Sequence, residues 1–83
     1  MYAILIDRAA KKELGKIPPP HFNRVVKSIN QLSANPRPAG YKKLTSRTGY
    51  RIRIGDYRVI YNIEDKFLKI FVIDIGHRKN IYE

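Results

Sequence analysis

The sequence predicts an α+β fold in the order β-α-α-β-β-β, with a helical hairpin packed on one face of a mostly antiparallel, twisted sheet. Two observations lead to this prediction. Apolar residues recur with the 3.6-residue period of helices through the first half of the chain, and with the two-residue period of strands after Gly40. At 83 residues the chain has room for a single domain, which we expect to span residues 1–83.

The first half is predicted to contain one strand and two helices. Residues 2–6 are an uninterrupted apolar run, typical of a buried strand, and Asp7 can cap a helix over residues 8–16. The three prolines at residues 18–20 must end this helix, because proline lacks the amide donor and clashes with the preceding turn. The second helix follows and carries one continuous apolar stripe, formed by Phe22, Val25, Val26, Ile29 and Leu32.

The second half is predicted to form the rest of the sheet. Another short strand, besides the three that this order places after the helices, is expected over residues 41–45. A hairpin follows, with strands over residues 50–54 and 57–63 joined by Gly55-Asp56, and glycine suits the first position of a type II′ turn. Residues 67–75 are apolar at nearly every position, which indicates a strand with neighbours on both sides, and the following glycine is expected to end it.

The balance of charge favours a polyanionic partner. The chain carries 17 Lys and Arg against 7 Asp and Glu, a net charge of +10, which points first to nucleic acid. It has no cysteine and two histidines, which argues against a disulfide framework, a thiolate catalyst and a metal site, so no metal or cofactor is expected. No apolar run suits a membrane span and the N-terminus lacks a secretory pattern, so we expect a cytoplasmic protein with no membrane partner.

Three arginines of the hairpin are the first candidates for a functional site. Arg51 and Arg53 are two residues apart on one strand, so their side chains point to the same face, and the turn places Arg53 opposite Arg58. Like charges directly opposite each other destabilise a sheet, which suggests that an anion binds between them. We interpret this face as a phosphate site; the alternative is that the arginines extend into water and keep the sheet soluble.

Residues near the C-terminus could complete the site. Arg78 follows the long strand and can turn back over the rim of the sheet, and Tyr82 lies four residues further on. His77 is the one histidine near these groups, and histidine is the side chain best suited to proton transfer at neutral pH. His21, next to the prolines, is expected to have a structural role.

The chain resembles the RelE/ParE superfamily of bacterial toxins along essentially its whole length, and RelE-like members in particular. The resemblance rests on the hairpin at residues 50–61, on Gly76-His77-Arg78 and on the ending Ile81-Tyr82. RelE-type toxins are ribosome-dependent mRNA interferases that cleave mRNA in the A site without a metal. The resemblance therefore implies a RelE/ParE-like fold and a metal-independent endoribonuclease that inhibits translation.

The resemblance also implies roles for individual residues. Arg51 and Arg53 stand where RelE has two strand lysines, and an arginine cannot lose its proton as a buried lysine can, so more of the proton transfer would fall to His77 or Tyr82. The catalytic residues expected on this basis are Arg51, Arg53, Arg58, His77, Arg78 and Tyr82. The residues expected to bind RNA around them are Lys42, Lys43 and Arg47.

The implied partners are an acidic, RelB-like antitoxin, the ribosome with its mRNA, and promoter DNA bound only by the toxin–antitoxin complex. Two alternatives remain open at this stage. One is ParE-like inhibition of DNA gyrase, because ParE-like members share much of the hairpin, including an arginine like Arg58. The other is a non-catalytic, nucleic-acid-binding relative, which would bind RNA or DNA in a salt-dependent way without being toxic.

Overall fold

A computed structural model describes residues 1–77 and confirms the predicted fold class. In chain order the elements are β1 (Ala3–Ile6), α1 (Arg8–Gly15), α2 (His21–Gln31), β2 (Lys42–Lys43), β3 (Tyr50–Ile54), β4 (Tyr57–Glu64), a 3-10 turn (Asp65–Phe67) and β5 (Lys69–His77). The five strands form one sheet in the order β1-β5-β4-β3-β2. β1 and β5 run parallel, whereas every other neighbouring pair is antiparallel. No helix within residues 1–77 is long and apolar enough to cross a membrane.

The two helices begin and end where their local sequence requires. The Asp7 carboxylate accepts a hydrogen bond of 2.8 Å from the Arg8 amide at the start of α1, as the capping prediction requires. The prolines at residues 18–20 separate α1 from α2. The apolar stripe of α2 faces the sheet, and Val25, Ile29 and Leu32 are buried there, at 2% exposure or less.

The main core lies between the helices and one face of the sheet, which we call the helix face. Inward residues of β3, β4 and β5 meet the α2 stripe, and Tyr61 on β4 is completely buried among them. Its hydroxyl donates a hydrogen bond of 2.7 Å to the Pro36 carbonyl, and burial raises the pKa of Tyr61 to about 12. A buried hydroxyl needs such a partner, so this bond fixes the chain that follows α2 against the sheet.

Three strand predictions need correction. The first strand is half-exposed rather than buried, because it lies at the edge of the described sheet and has β5 as its single neighbour there. Its outward side chain Leu5 is 43% exposed. The last strand begins at Lys69 rather than residue 67, because Phe67 closes the 3-10 turn and Leu68 adopts a left-handed φ of 51°. Gly76 does not end that strand, which continues to His77 because Gly76 still pairs with Arg58.

A polar cluster ties three distant parts of the chain together on the surface. The Arg37 guanidinium binds both carboxylate oxygens of Asp65, at 3.2 and 2.9 Å, and the Tyr2 hydroxyl donates to the same carboxylate at 2.6 Å. The hydrogen bonds from Arg37 and then from Tyr2 hold the pKa of Asp65 at about 2. The cluster thus links the N-terminal segment, the chain after α2 and the turn before β5.

This cluster makes stability depend on pH in the acid range. The pKa of Asp65 is about 2 in the folded chain, whereas the pKa of an aspartate is ordinarily about 3.8. The stability that this carboxylate contributes is therefore present above pH 4 and is lost as pH falls toward 2. Asp65→Asn is therefore expected to lower the melting temperature at pH 6, and the difference from the wild type should shrink by pH 2. Circular dichroism melts at pH 6, 4 and 2 would measure it, with Glu64→Gln as a neighbouring carboxylate control. A constant difference across this range would contradict the prediction.

The opposite side of the sheet, which we call the outer face, is partly covered by the loop between β2 and β3. The Leu44 amide donates to the Gly49 carbonyl at 3.0 Å, which closes this loop. Leu44 is 5% exposed and packs with Ile60 of β4 and the partly buried Ile73 of β5. The outer face therefore has a small apolar floor of its own, and the charged residues described next stand around it.

Candidate phosphate-binding site

The β3–β4 hairpin has the predicted register. Gly55 has a φ of 59°, Ile54 lies opposite Tyr57, and Arg53 lies opposite Arg58. Tyr57 and Ile54 pack against the main core, so the two arginines, one position further along each strand, are on the outer face. The two-residue turn is thus sufficient to place two guanidinium groups on adjacent strands of one rigid surface.

Five of the predicted site residues are cations on the outer face. Arg51 and Arg53 come from β3 and Arg58 from β4. Lys42 is on the same face because it pairs directly with Arg51. Asp74 is on this face too, because it pairs with the outer-face residue Ile60. Arg47 forms an ion pair of 3.6 Å with Asp74 and therefore lies on the outer face as well. We call this set the arginine patch: Lys42, Arg47, Arg51, Arg53 and Arg58.

Members of the arginine patch differ in exposure. Arg53 is exposed, Arg58 is half-buried, and Arg51 is only 8% exposed, between Lys42 on one side and Ile60 on the other. The Nε atom of Arg58 is buried and has no hydrogen-bond partner among residues 1–77. A buried donor without an acceptor costs free energy, so holding Arg58 in this position opposes folding.

The strand partners of Arg58 are an arginine and a glycine. On one side its partner is Arg53, and on the other it is Gly76, which has no side chain. Two positive charges are therefore held side by side on a rigid sheet, next to a position without a side chain. Arginine binds two oxygens of one phosphate through its planar fork, so the arrangement suits a phosphodiester, and it also suits the additional negative charge that develops when one is attacked.

A bulge in β5 decides on which face His77 lies. Ile60 pairs with Asp74 but its neighbour Tyr61 pairs with Val72, so one residue, Ile73, is extra. Before the bulge Ile70 and Val72 face the helices, whereas after it Ile75 does. One extra residue reverses the alternation of all that follow. His77 therefore pairs with Tyr57 on the helix face, across the sheet from the arginine patch.

His77 belongs to a separate group of aromatic rings at the end of the sheet. Its ring meets Tyr57 edge-on with the centroids 5.6 Å apart, and His21 at the start of α2 contacts the other side of Tyr57 at 5.7 Å. The Nε2 atom of His77 is 4.0 Å from the Asp56 carboxylate in the hairpin turn. The structural role predicted for His21 agrees with this ring contact.

The predicted site residues thus fall into three groups. Five of them form the arginine patch on the outer face. The second group, Lys43 and His77, is on the helix face. Lys43 is there because it pairs with Tyr50, whose ring packs toward the core. Arg78 and Tyr82 lie outside the residues that the structure describes, so their predicted roles remain predictions.

The sequence did not reveal a cleft at the edge of β3. It lies between α2, the loop at residues 38–40 and β3 residues 52–54, and has a volume of about 310 Å³. Ser28 and Gln31 of α2 line one wall, and Arg53 lines the other. The sequence does contain a signal for this cleft, in the form of Pro36, Pro38 and Gly40 just before β2. Proline and glycine disfavour strand pairing, so this segment does not pair with the end of β3 and the cleft lies between them.

Comparison with known proteins finds a family model and a curated relative that match nearly the whole chain. Residues 4–82 match the family model described as the ParE toxin of type II toxin–antitoxin systems. The curated Toxin RelG of Mycobacterium tuberculosis is 29% identical over 83 residues, covering 98% of this chain and 95% of that protein.

Solved structures agree with this assignment. The RelBE2 toxin–antitoxin complex of Mycobacterium tuberculosis contains a chain that is 30% identical, with a TM-score of 0.79, covering 93% of this chain and 98% of that one. In the archaeal RelE–RelB complex from Pyrococcus horikoshii the values are 29% identity and a TM-score of 0.83, with 96% and 98% covered. Both relatives were solved together with antitoxins.

Proposed function

The chain belongs to the RelE/ParE superfamily of toxins from type II toxin–antitoxin systems, and on that premise we propose that it is a metal-independent endoribonuclease that cleaves mRNA on the ribosome. The arginine patch is the observation that carries the proposal. Arg53 and Arg58 are held directly opposite each other, and the buried Nε of Arg58 has no hydrogen-bond partner among residues 1–77. The partner of Arg58 on β5 is Gly76, which has no side chain. Like charges in this arrangement cost folding energy, which binding of a phosphodiester offsets.

The reaction uses the RNA as its own nucleophile. The 2′-oxygen of one nucleotide bonds to the adjacent phosphorus, and the bond from phosphorus to the 5′-oxygen of the next nucleotide breaks. The products are a 2′,3′-cyclic phosphate and a 5′-hydroxyl, so one proton leaves the 2′-hydroxyl and one reaches the leaving oxygen. In this mechanism Arg53 and Arg58 bind the phosphate oxygens and stabilise the negative charge of the phosphorane, while the largely buried Arg51 adds positive charge from a fixed position.

Proton transfer is assigned to groups that the arginine patch does not supply. His77 lies beside the hairpin turn but on the helix face, so it can contact a substrate only around the end of the sheet. Tyr82 is the second candidate, and Arg78 is proposed to add a further cation to the phosphate site. Because arginine keeps its proton at neutral pH, no member of the patch except Lys42 could serve as a general base.

The proposed partners follow from the same charges. A net charge of +10 favours an acidic antitoxin, and the relatives solved as complexes support a RelB-like protein in this role. We expect the ribosome to orient the mRNA, promoter DNA to be bound only by the toxin–antitoxin complex, and the protein to act in the cytoplasm.

The test is cleavage of a defined mRNA on programmed ribosomes by the full-length chain, in buffer containing EDTA at a concentration that leaves the ribosomal Mg²⁺ in excess. Cleavage within the A-site codon, with a 2′,3′-cyclic phosphate on the upstream fragment, is the expected result. The same mRNA without ribosomes is the matched control and should remain largely intact. Absence of cleavage on ribosomes would contradict the proposed reaction.

Inhibition of DNA gyrase is a second candidate, favoured by the description of the matching family model as a ParE toxin. A supercoiling assay with purified gyrase, run beside the translation assay, separates the two functions. Inhibited supercoiling with intact translation would support the gyrase target. Salt-dependent binding of RNA without effect in either assay would instead identify a non-catalytic relative.

A further inference from the structure

The cleft at the edge of β3 is continuous with the arginine patch through one residue. Arg53 lines the cleft, and its side chain stands on the outer face opposite Arg58. The other wall carries a hydroxyl and a carboxamide, from Ser28 and Gln31 of α2. A strand of RNA whose phosphate is bound by Arg53 and Arg58 would therefore have a partly open, partly polar cleft directly beside it.

The main chain of Arg53 offers further hydrogen-bonding groups to this cleft. In a two-residue hairpin the closing pair, Ile54 and Tyr57, exchanges both backbone hydrogen bonds, so the intervening Arg53 directs its N–H and C=O away from β4. Arg51 directs the same groups toward β2, which pairs with it through Lys42. Because β2 ends the pairing there, no strand within residues 1–77 pairs with the backbone N–H and C=O of Arg53 on this side.

The size of the cleft suits a single planar ring system. Its volume of about 310 Å³ is roughly twice that of an engineered 150 Å³ protein cavity that accommodates benzene. The side chains of Ile52 and Ile54 give it apolar surface, and the donor and acceptor groups of Ser28, Gln31 and Arg53 stand at its margin. An apolar space with a few convergent polar groups is typical of a site for a heteroaromatic ligand.

We propose that this cleft binds one nucleobase of the RNA whose phosphate lies on the arginine patch, so that Ser28 and Gln31 contribute to base preference. The inference rests on the proposed RNA substrate and adds a second subsite to it. An added peptide strand fits the edge less well, because a strand gains its affinity from repeated backbone bonds, and Arg53 offers a single pair. A single base can be bound by one hydrogen-bond donor and one acceptor, and the backbone of Arg53 provides such a pair at the edge of β3.

The experiment separates base binding from phosphate binding. The probe is a fluorescent trinucleotide with 2′-O-methyl sugars, which cannot be cleaved by 2′-hydroxyl attack, and the comparison is the same probe with an abasic central position. We expect the full-length chain to bind the intact probe about tenfold more tightly than the abasic one by fluorescence anisotropy. Gln31→Ala should remove most of this difference, whereas Asn30→Ala, an exposed amide on the next position of α2, should preserve it.

A second variant and a second readout keep the proposal testable if Gln31→Ala impairs folding. Ser28→Leu should fill the cleft and also remove the difference between probes. In NMR spectra the amides of Gly40 and Arg53 should shift with the intact probe more than with the abasic one.

The possible failures are distinguishable. Equal affinity for both probes would overturn the base subsite and leave the phosphate site and its cleavage reaction standing. If neither probe bound in a salt-dependent way, both the base subsite and the phosphate site would be overturned. Shifts of the cleft amides by an acidic peptide, and not by the intact probe, would assign the cleft to a protein partner and overturn the base proposal.

Discussion

Arg58→Ala is expected to reduce mRNA cleavage on programmed ribosomes by about 10²–10³-fold, the effect of removing one well-placed donor to a developing negative charge. Arg58 lies directly opposite Arg53, pairs with Gly76 on its other side, and has a buried Nε without a hydrogen-bond partner among residues 1–77. Single-turnover measurements at saturating enzyme would isolate the chemical step. Arg58→Lys should recover part of the rate, because lysine restores the charge without the planar fork.

The matched control for this prediction is Arg24→Ala. Arg24 is an exposed cation on α2, away from the outer face, and its loss changes the net charge by the same amount. If Arg24→Ala lowered the cleavage rate as much as Arg58→Ala, the effect would reflect overall charge and not the arginine patch. Melting temperatures of both variants would verify that the fold is intact.

Gly49→Ala is expected to destabilise the fold by about 2–3 kcal/mol. Gly49 has a φ of 126°, and a Cβ at this position would lie 2.9 Å from Oδ1 of Asn62 and 3.2 Å from the Tyr61 carbonyl oxygen. For a chain of this length the total stability is of order 4–12 kcal/mol, so the loss is a large part of it. Thermal unfolding should show a melting temperature lower by roughly 10 °C or more.

Gly15→Ala provides the control for this second prediction. Gly15 ends α1, and nothing lies within 4 Å of an added Cβ. Alanine favours the helical conformation over glycine, so the variant should be unchanged or more stable by up to about 1 kcal/mol. Equal melting temperatures for the two alanine variants would contradict the strain assigned to Gly49.

Local sequence was enough to predict the hairpin and the face of its arginines. Gly55-Asp56 fixes the register, and alternation then places Arg51, Arg53 and Arg58 together, as the structure confirms. The second helix was equally predictable, because its apolar stripe has one period along its whole length. In both cases the information lies within a few consecutive residues.

The position of His77 could not be predicted in this way. Counting alternate residues from Ile70 places His77 on the outer face, but the extra residue at Ile73 reverses the alternation. Such a bulge is set by how β5 meets β4, which is a tertiary property. The cleft was missed for the same kind of reason, because it forms between elements that are far apart in sequence.

The parallel pairing of β1 with β5 has a consequence for the order of folding. Ala3 lies beside Lys69 and Ile6 beside Val72, so the first strand described pairs with the last one described. Contacts of such high sequence separation form late and slow the folding of small domains. The nascent chain can therefore complete the described sheet only after β5 has been made.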